Sequence, residues 1–179
     1  MRFINRLAPL YESRLWYPVV LKVYGGSASP SLRQLISKVT DKVALTIGRV
    51  LDVACGPGTY GRRVASASRE VFGIDVSMGM LRQGAVYVKK ERIPNMHFAR
   101  ARVEALPFEG RIFDAALCCG SLHLFADTVI ALREMARVTK PAAILSVFTF
   151  GVGCRGILKY RSVQESSRRN HGLHVFRAC

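Results

Sequence analysis

The sequence predicts a single α/β domain, a doubly wound and mainly parallel sheet whose C-terminal strands are missing or remodelled. Three observations carry that prediction. Arg49 to Gly61, RVLDVACGPGTYG, joins an apolar run to a glycine turn and then to residues that read as a helix. From Val50 onward, apolar strand-like runs alternate with helical patterns, the arrangement that builds parallel strands joined by right-handed crossovers. The chain has 179 residues, 50% of them hydrophobic, which suits one domain with one core.

Residues 1–45 are expected to form a helical N-terminal segment and residues 46–179 the sheet domain. Phe3 to Glu12 places apolar residues at near-helical spacing around Pro9. Leu15 to Tyr24 is aromatic and apolar, with Arg14 and Lys22 beside it, and suits a buried helix, an apolar ligand or a membrane interface. Gly25 to Ser31 is a loop by composition. Ser31 can cap a helix running from Leu32 to about Ala44, with Leu32, Leu35, Ile36 and Val39 on one face.

Val50 to Ala54 is expected to be a buried strand, Cys55-Gly56-Pro57-Gly58 a sharp turn, and Thr59 to Ala65 a helix. Gly56 and Gly58 let backbone approach a ligand, and the first amides of the helix are free to face it. Gly56, Gly58 and Gly61 also satisfy the dinucleotide spacing. Asp52 argues against a pyrophosphate, because a carboxylate at the strand end repels phosphate and attracts the ammonium of an amino-acid-bearing cofactor. Pro57 removes an amide that a phosphate cradle would use.

The second strand, Glu70 to Ile74, leads to Asp75, 19 residues after Gly56. From there its carboxylate can accept hydrogen bonds from both ribose hydroxyls of a nucleoside bound across the first turn. The competing role is a cap on the next helix, which Ser77 can fill instead. Val76, Ser77 and Met78 would lie beside the base. His97 to Val103 reads as the third strand leaving into a turn. Phe113 to Gly120 reads as the central fourth strand, buried on both faces, with its C-terminal end toward the ligand. That end carries Cys119, Gly120, Ser121, Leu122 and His123; His123 is the candidate base there, or equally a packing or hydrogen-bonding residue. A helix from about Asp127 to Val138 carries Val129, Leu132, Met135 and Ala136 at core spacing, and Ala143 to Phe150 is the fifth strand. Beyond Phe150 the pattern weakens: Ile157 to about Arg169 is compatible with one basic helix, and Leu173 to Phe176 is one short apolar run.

Taken together, Asp52-Val53-Ala54-Cys55-Gly56-Pro57-Gly58, Val71-Phe72-Gly73-Ile74-Asp75, Glu104-Ala105-Leu106-Pro107-Phe108, Phe113-Asp114-Ala115-Ala116 and Lys140-Pro141 resemble the ordered motifs of class I S-adenosylmethionine-dependent methyltransferases. The resemblance covers about Phe3 to Phe150 and is strongest to the branch containing the ubiquinone/menaquinone C-methyltransferases. It implies a Rossmann-like fold, S-adenosyl-L-methionine as cofactor, and methyl transfer to a small apolar acceptor. It places Asp52, Ala54, Cys55, Gly56, Gly58, Asp75, Val76, Met78, Arg102, Val103, Cys119 and Gly120 around the cofactor. His123 would then stand near the transferred methyl. Tyr11, Trp16 and Tyr17 would belong to a lid on the acceptor side. The chain departs from the family at three places. Arg102 stands where Asp or Asn often binds the adenine amino group, and arginine offers no acceptor, leaving the Val103 amide to hold adenine. Ala142-Ala143 replaces two glycines, and a positive φ there would be strained. Two final strands, one antiparallel, are not both legible. These departures keep open a non-catalytic protein of the same fold that serves as a partner subunit; an NAD-dependent oxidoreductase is the third alternative.

The formal charge is +15, from 27 Lys and Arg against 12 Asp and Glu. A basic solvated surface and an anionic membrane surface are both compatible with it, whereas no nucleic-acid motif accompanies the charge. Five cysteines without a Cys-x-x-Cys spacing indicate reduced thiols in a cytoplasmic protein, peripheral at a membrane if bound to one, and no metal site. No signal peptide or membrane-spanning run is legible. If the last strands are missing, Ile144 to Phe150 is an apolar edge open to self-association into a homo-oligomer, unless the segment from Ile157 to Phe176 covers it.

Overall fold

Each apolar run picked out between Val50 and Phe150 forms a strand in the computed structural model. The structure describes residues 37, 40, 41, 43–45 and 47–150, and the backbone of strands at 160–163, 166–167 and 171–178. The strands are β1 (Arg49–Val53), β2 (Glu70–Asp75), β3 (Met96–Arg100), β4 (Phe113–Cys119), β5 (Thr139–Phe150), β6 (Tyr160–Val163), β7 (Ser166–Ser167) and β8 (His171–Ala178). Between them lie α1 (Thr59–Val64), α2 (Met78–Lys90) and α3 (Thr128–Val138). The sheet order is β3-β2-β1-β4-β5-β8-β6, with β7 pairing β8. β1 pairs in parallel with both β2 and β4. That puts the ends of β1 and β4 side by side at the centre, where ligands of such sheets bind.

The period-2 alternation of the strands divides the core into two layers. Val50, Val71, Ala115 and Leu117 pack on one face with Val43 and Val64. Leu51, Val53, Ile74, Ala116 and Cys118 pack on the other with Ala131, Met135 and Val138. Asp52 shares the face of Val50 by the same alternation, so it points toward α1. Phe72, Phe108 and Phe113 close one side with tilted edge-to-face contacts, their ring centroids 5.0 to 6.0 Å apart.

Helix ends follow local chemistry. The Ser77 hydroxyl accepts the Met80 amide at 3.2 Å and caps α2. Asp127 Oδ1 accepts the amides of Val129 and Ile130 at 2.8 and 2.9 Å and caps α3. Residues 37, 40, 41, 43 and 44 are helical, within the helix expected from Leu32; the cap and earlier turns of that helix lie outside the described residues.

The structure revises several expectations. Val129 is 53% exposed and not in the core. The buried stripe of α3 is Ala131, Met135 and Val138, with Leu132 and Ala136 at its margin, and Val129 in the first turn falls off its edge. The third strand starts one residue earlier, at Met96, and leaves at Arg100 into the expected turn that carries Arg102 and Val103. The stretch expected as a basic helix contains two strands, β6 and β7. The C-terminus is remodelled: β8 runs parallel to β5 from Ile144↔Gly172 to Phe150↔Ala178, and β6 lies antiparallel outside it. β5 is therefore an interior strand, which removes the open edge on which self-association was expected. Among the described residues no helix is long and apolar enough to cross a membrane.

The strain anticipated after Lys140-Pro141 is present. Ala142 has φ 63°, in the left-handed region. The β4–β5 pairing jumps from Phe113↔Thr139 to Ala115↔Ile144, so Lys140 to Ala143 bulge opposite Asp114.

Candidate cofactor site

The site is built where β1 turns into α1. Cys55 N donates to Ile74 O and Gly58 N to Cys55 O, both at 2.9 Å, which folds the turn back against β2. Ala54, Gly56 and Gly58 all have positive φ, at 52°, 55° and 78°. The two glycines differ in purpose. Among the described residues a Cβ on Gly56 would meet nothing within 4 Å, so this face has room for a ligand. A Cβ on Gly58 would lie 2.7 Å from Met96 Cε and 3.0 Å from Phe98 Cζ, so its bareness admits β3 side chains and not a ligand.

Asp52 is 1% exposed. Its Oδ2 accepts the Gly61 amide of α1 at 2.8 Å, while its Oδ1 is buried with no hydrogen-bond partner among the described residues. Burial pushes its carboxyl up to about 8; the Gly61 hydrogen bond opposes that rise and the charge of Asp75 adds to it. Asp75, at the end of β2, accepts the Gly56 amide on Oδ2 at 2.9 Å and the Ser77 amide on Oδ1 at 2.8 Å. Burial raises its carboxyl too, against those backbone hydrogen bonds. Ser77 caps α2, so Asp75 is left to brace the turn.

The thiols here are not nucleophiles. Cys55 Sγ donates to Gly56 O at 3.4 Å and fills the space beside Gly73, where a Cβ would lie 2.9 Å from it. Burial drives the Cys55, Cys118 and Cys119 thiols up, and the carboxylate of Asp52 adds to it.

The far side of the site is formed by less regular backbone. Met78 opens α2 and is 37% exposed. Val76 O accepts Arg100 Nε at 3.1 Å. Val103 is 6% exposed, and Arg102 turns outward with Nε 3.4 Å from Glu104 Oε2. Glu104 also accepts the Ala126 amide on Oε1 at 3.3 Å, as befits a residue that orients its turn. Cys119 is 9% exposed, and Gly120, with φ 77°, donates its amide to Phe148 O at 2.8 Å. His123 lies on the 3-10 turn Leu122–Leu124 with Nδ1 3.4 Å from Thr149 Oγ1. Tyr11, Trp16 and Tyr17 lie outside the described residues.

The structure adds residues that local sequence did not mark. Met96 and Phe98 seat the glycine turn from β3, and Thr149 sits against His123; each is brought there only by strand pairing. Glu134 Oε2 accepts the Leu106 amide at 3.0 Å, and Arg137 donates to Leu106 O at 3.1 Å and Phe108 O at 2.9 Å. That clamp on the loop before β4 had a faint signal, the Glu134/Arg137 pair at helical spacing.

Residues 50–142 match the family described as methyltransferase domain, just over half of the 179 residues. The chain belongs to that family. It is 41% identical over 113 residues to the demethylmenaquinone methyltransferase of Renibacterium salmoninarum, an alignment covering 63% of this chain and 46% of the relative. It is 36% identical over 146 residues to that of Streptomyces griseus, covering 82% of this chain and 54% of the relative. The crystal structure of the YcgJ protein from Bacillus subtilis superposes with a TM-score of 0.60 at 26% identity, covering 62% of this chain and 48% of that one. The chain spans about half the length of the curated relatives it matches.

Membership in a methyltransferase-domain family implies S-adenosylmethionine, and the residues present fit it. Asp52 Oδ1 is a buried acceptor with no partner among the described residues, suited to an ammonium, and the turn that follows its strand is open at Gly56. Asp75 adds a second acceptor at the same turn.

Proposed function

We propose that this domain transfers the methyl group of S-adenosylmethionine to a small apolar acceptor. The observation that carries the reading is the buried Oδ1 of Asp52, without a partner among the described residues, on the strand that leads into the turn left open at Gly56. Asp52 would hold the cofactor's ammonium and Asp75 its ribose hydroxyls, while the backbone from Ala54 to Gly58 would shape the floor. Val76 and Met78 would flank the adenine, and Cys119 with Gly120 would border the methyl. The bound cofactor supplies a methyl on a positively charged sulfur. The chain's part is to orient it and exclude water, which needs no dedicated acid or base. His123, beside Thr149, would stand ready for an acceptor that must lose a proton.

An apolar acceptor is supported by the exposed Leu124, Val129 and Ile130, 71%, 53% and 43% exposed, which follow β4 at its ligand-facing end. The net charge of +15 would favour presentation of that acceptor at an anionic membrane. Sedimentation with anionic vesicles at low and high salt tests this, and no pelleting at low salt would leave the charge as a property of a solvated surface. A second reading, a non-catalytic partner subunit, is favoured by Arg102, which cannot accept from the adenine amino group.

Calorimetric titration with S-adenosylmethionine, S-adenosylhomocysteine and NAD separates these readings from an oxidoreductase. Asp75→Asn is expected to weaken S-adenosylhomocysteine binding by roughly 1 to 3 kcal/mol. Unchanged affinity in that variant, or tighter binding of NAD, would refute the site. Tight cofactor binding without turnover on any quinone-like or acyl acceptor would favour the partner subunit.

A further inference from the structure

We propose that binding the amino-acid end of the cofactor expels a proton from Asp52, so that this carboxyl is neutral in the free protein and ionised against the ligand's ammonium in the complex. The inference rests on the cofactor reading above and adds a proton to its binding equilibrium. Asp52 is 1% exposed, one oxygen is satisfied by a single amide, and the other has no partner among the described residues. An ionised carboxylate in that position would leave a buried negative oxygen without a donor, which folding strongly disfavours.

The surroundings offer no relief. α1 contributes the Gly61 amide, and its Arg63 is exposed and acts on the Cys119 thiol. β2 contributes another carboxylate, Asp75, whose charge raises Asp52. The turn contributes Cys55, and β4 contributes Cys118 and Cys119, all thiols that burial keeps protonated. Among the described residues no Lys, Arg or His offsets the charge of Asp52. A carboxyl held up at about 8 is mostly protonated near neutrality. A ligand ammonium beside Oδ1 reverses the preference: the O–H bond breaks, the carboxylate keeps the electron pair, and the proton passes to solvent.

The same residues could have ionised permanently against a built-in lysine or arginine. Supplying the cation with the ligand instead makes occupancy depend on pH. Affinity should then rise with pH by about tenfold per unit while Asp52 is protonated in the free protein, because the slope equals the number of protons released.

The test is calorimetry of S-adenosylhomocysteine binding to the full chain in buffers of low and high ionisation enthalpy. At pH 6.5 this ligand's ammonium is charged, so its own titration does not intrude there, and titration of the free ligand alone corrects the readings at higher pH. Close to one proton released per ligand at pH 6.5 is expected, fading above pH 8.5. Adenosine, which lacks the ammonium, should bind without release, and Asp52→Asn should bind S-adenosylhomocysteine without release. Should Asp52→Asn fail to fold, Asp75→Asn serves instead: removing the neighbouring charge should move the pH at which release fades downward, and an unmoved limit would count against Asp52 as the proton's source. Binding with no proton exchange at pH 6.5, or equal release by Asp52→Asn, overturns the proposal. Failure of S-adenosylhomocysteine to bind at all instead refutes the cofactor reading on which it rests.

Discussion

Replacing Ala142 by glycine should stabilise the protein, against the usual effect of adding glycine. Ala142 holds φ 63° in the bulge between Thr139 and Ile144, and it is exposed. A left-handed conformation costs an L-residue about 1 to 2 kcal/mol, and glycine escapes that cost. Glycine also gives the unfolded chain more freedom, which offsets about 0.4 to 1 kcal/mol. The exposed methyl buries little, so packing contributes little. The net expectation is a gain of roughly 0.5 to 1 kcal/mol, or about 1 to 4 °C in Tm for a chain of this size. Ala143 is the internal control: it is 6% exposed and its φ is not positive. Ala143→Gly loses a buried methyl, worth about 0.8 kcal/mol, and gains only unfolded-state freedom, so it should destabilise by about 1 to 2 kcal/mol. Thermal and urea unfolding of the three proteins measure both effects. A fall in Tm for Ala142→Gly matching that of Ala143→Gly would refute the strain argument.

Three further outcomes follow from the site. Gly61→Ala would place a Cβ 2.8 Å from Asp52 Oδ2 and 2.6 Å from Met96 Cε, so cofactor affinity should fall with stability, read by calorimetry and urea unfolding. Asp52 in the folded chain keeps its proton up to about 8, whereas the unfolded carboxyl loses it near 3.9; stability is therefore lost progressively as pH rises between those values and levels off above 8. Asp52→Asn does not titrate, so its stability relative to the parent should grow by up to about 4 kcal/mol from pH 5 to 8, and an equal difference at both pH values in urea unfolding would contradict the shift. Arg102→Asn should leave stability within about 0.5 kcal/mol, because it removes only an exposed ion pair, while restoring an acceptor should tighten S-adenosylhomocysteine binding by roughly 1 kcal/mol. Unchanged binding in that variant would place position 102 away from the adenine.

By itself the sequence determined the five strands from Val50 to Phe150, the glycine turn and its two carboxylates, because these depend on local patterns: apolar period, turn chemistry and the spacing from Gly56 to Asp75. It also located the strained turn after Pro141, since two alanines standing where glycine is usual are visible without any neighbour. The tertiary structure decided what depends on contacts distant in sequence. Only strand pairing brings Met96 and Phe98 under Gly58, separating a packing glycine from Gly56, whose face is open. Only helix rotation against the sheet exposes Val129 and buries Ala131. The C-terminal strands were illegible because the short apolar run at Leu173 to Phe176 lacks helix or strand periodicity of its own, and pairing with β5 makes it a strand. The charge state of Asp52 was likewise invisible. An aspartate reads as an anion in a sequence, and only its burial with one satisfied oxygen, facing Asp75, makes it an acid that holds its proton.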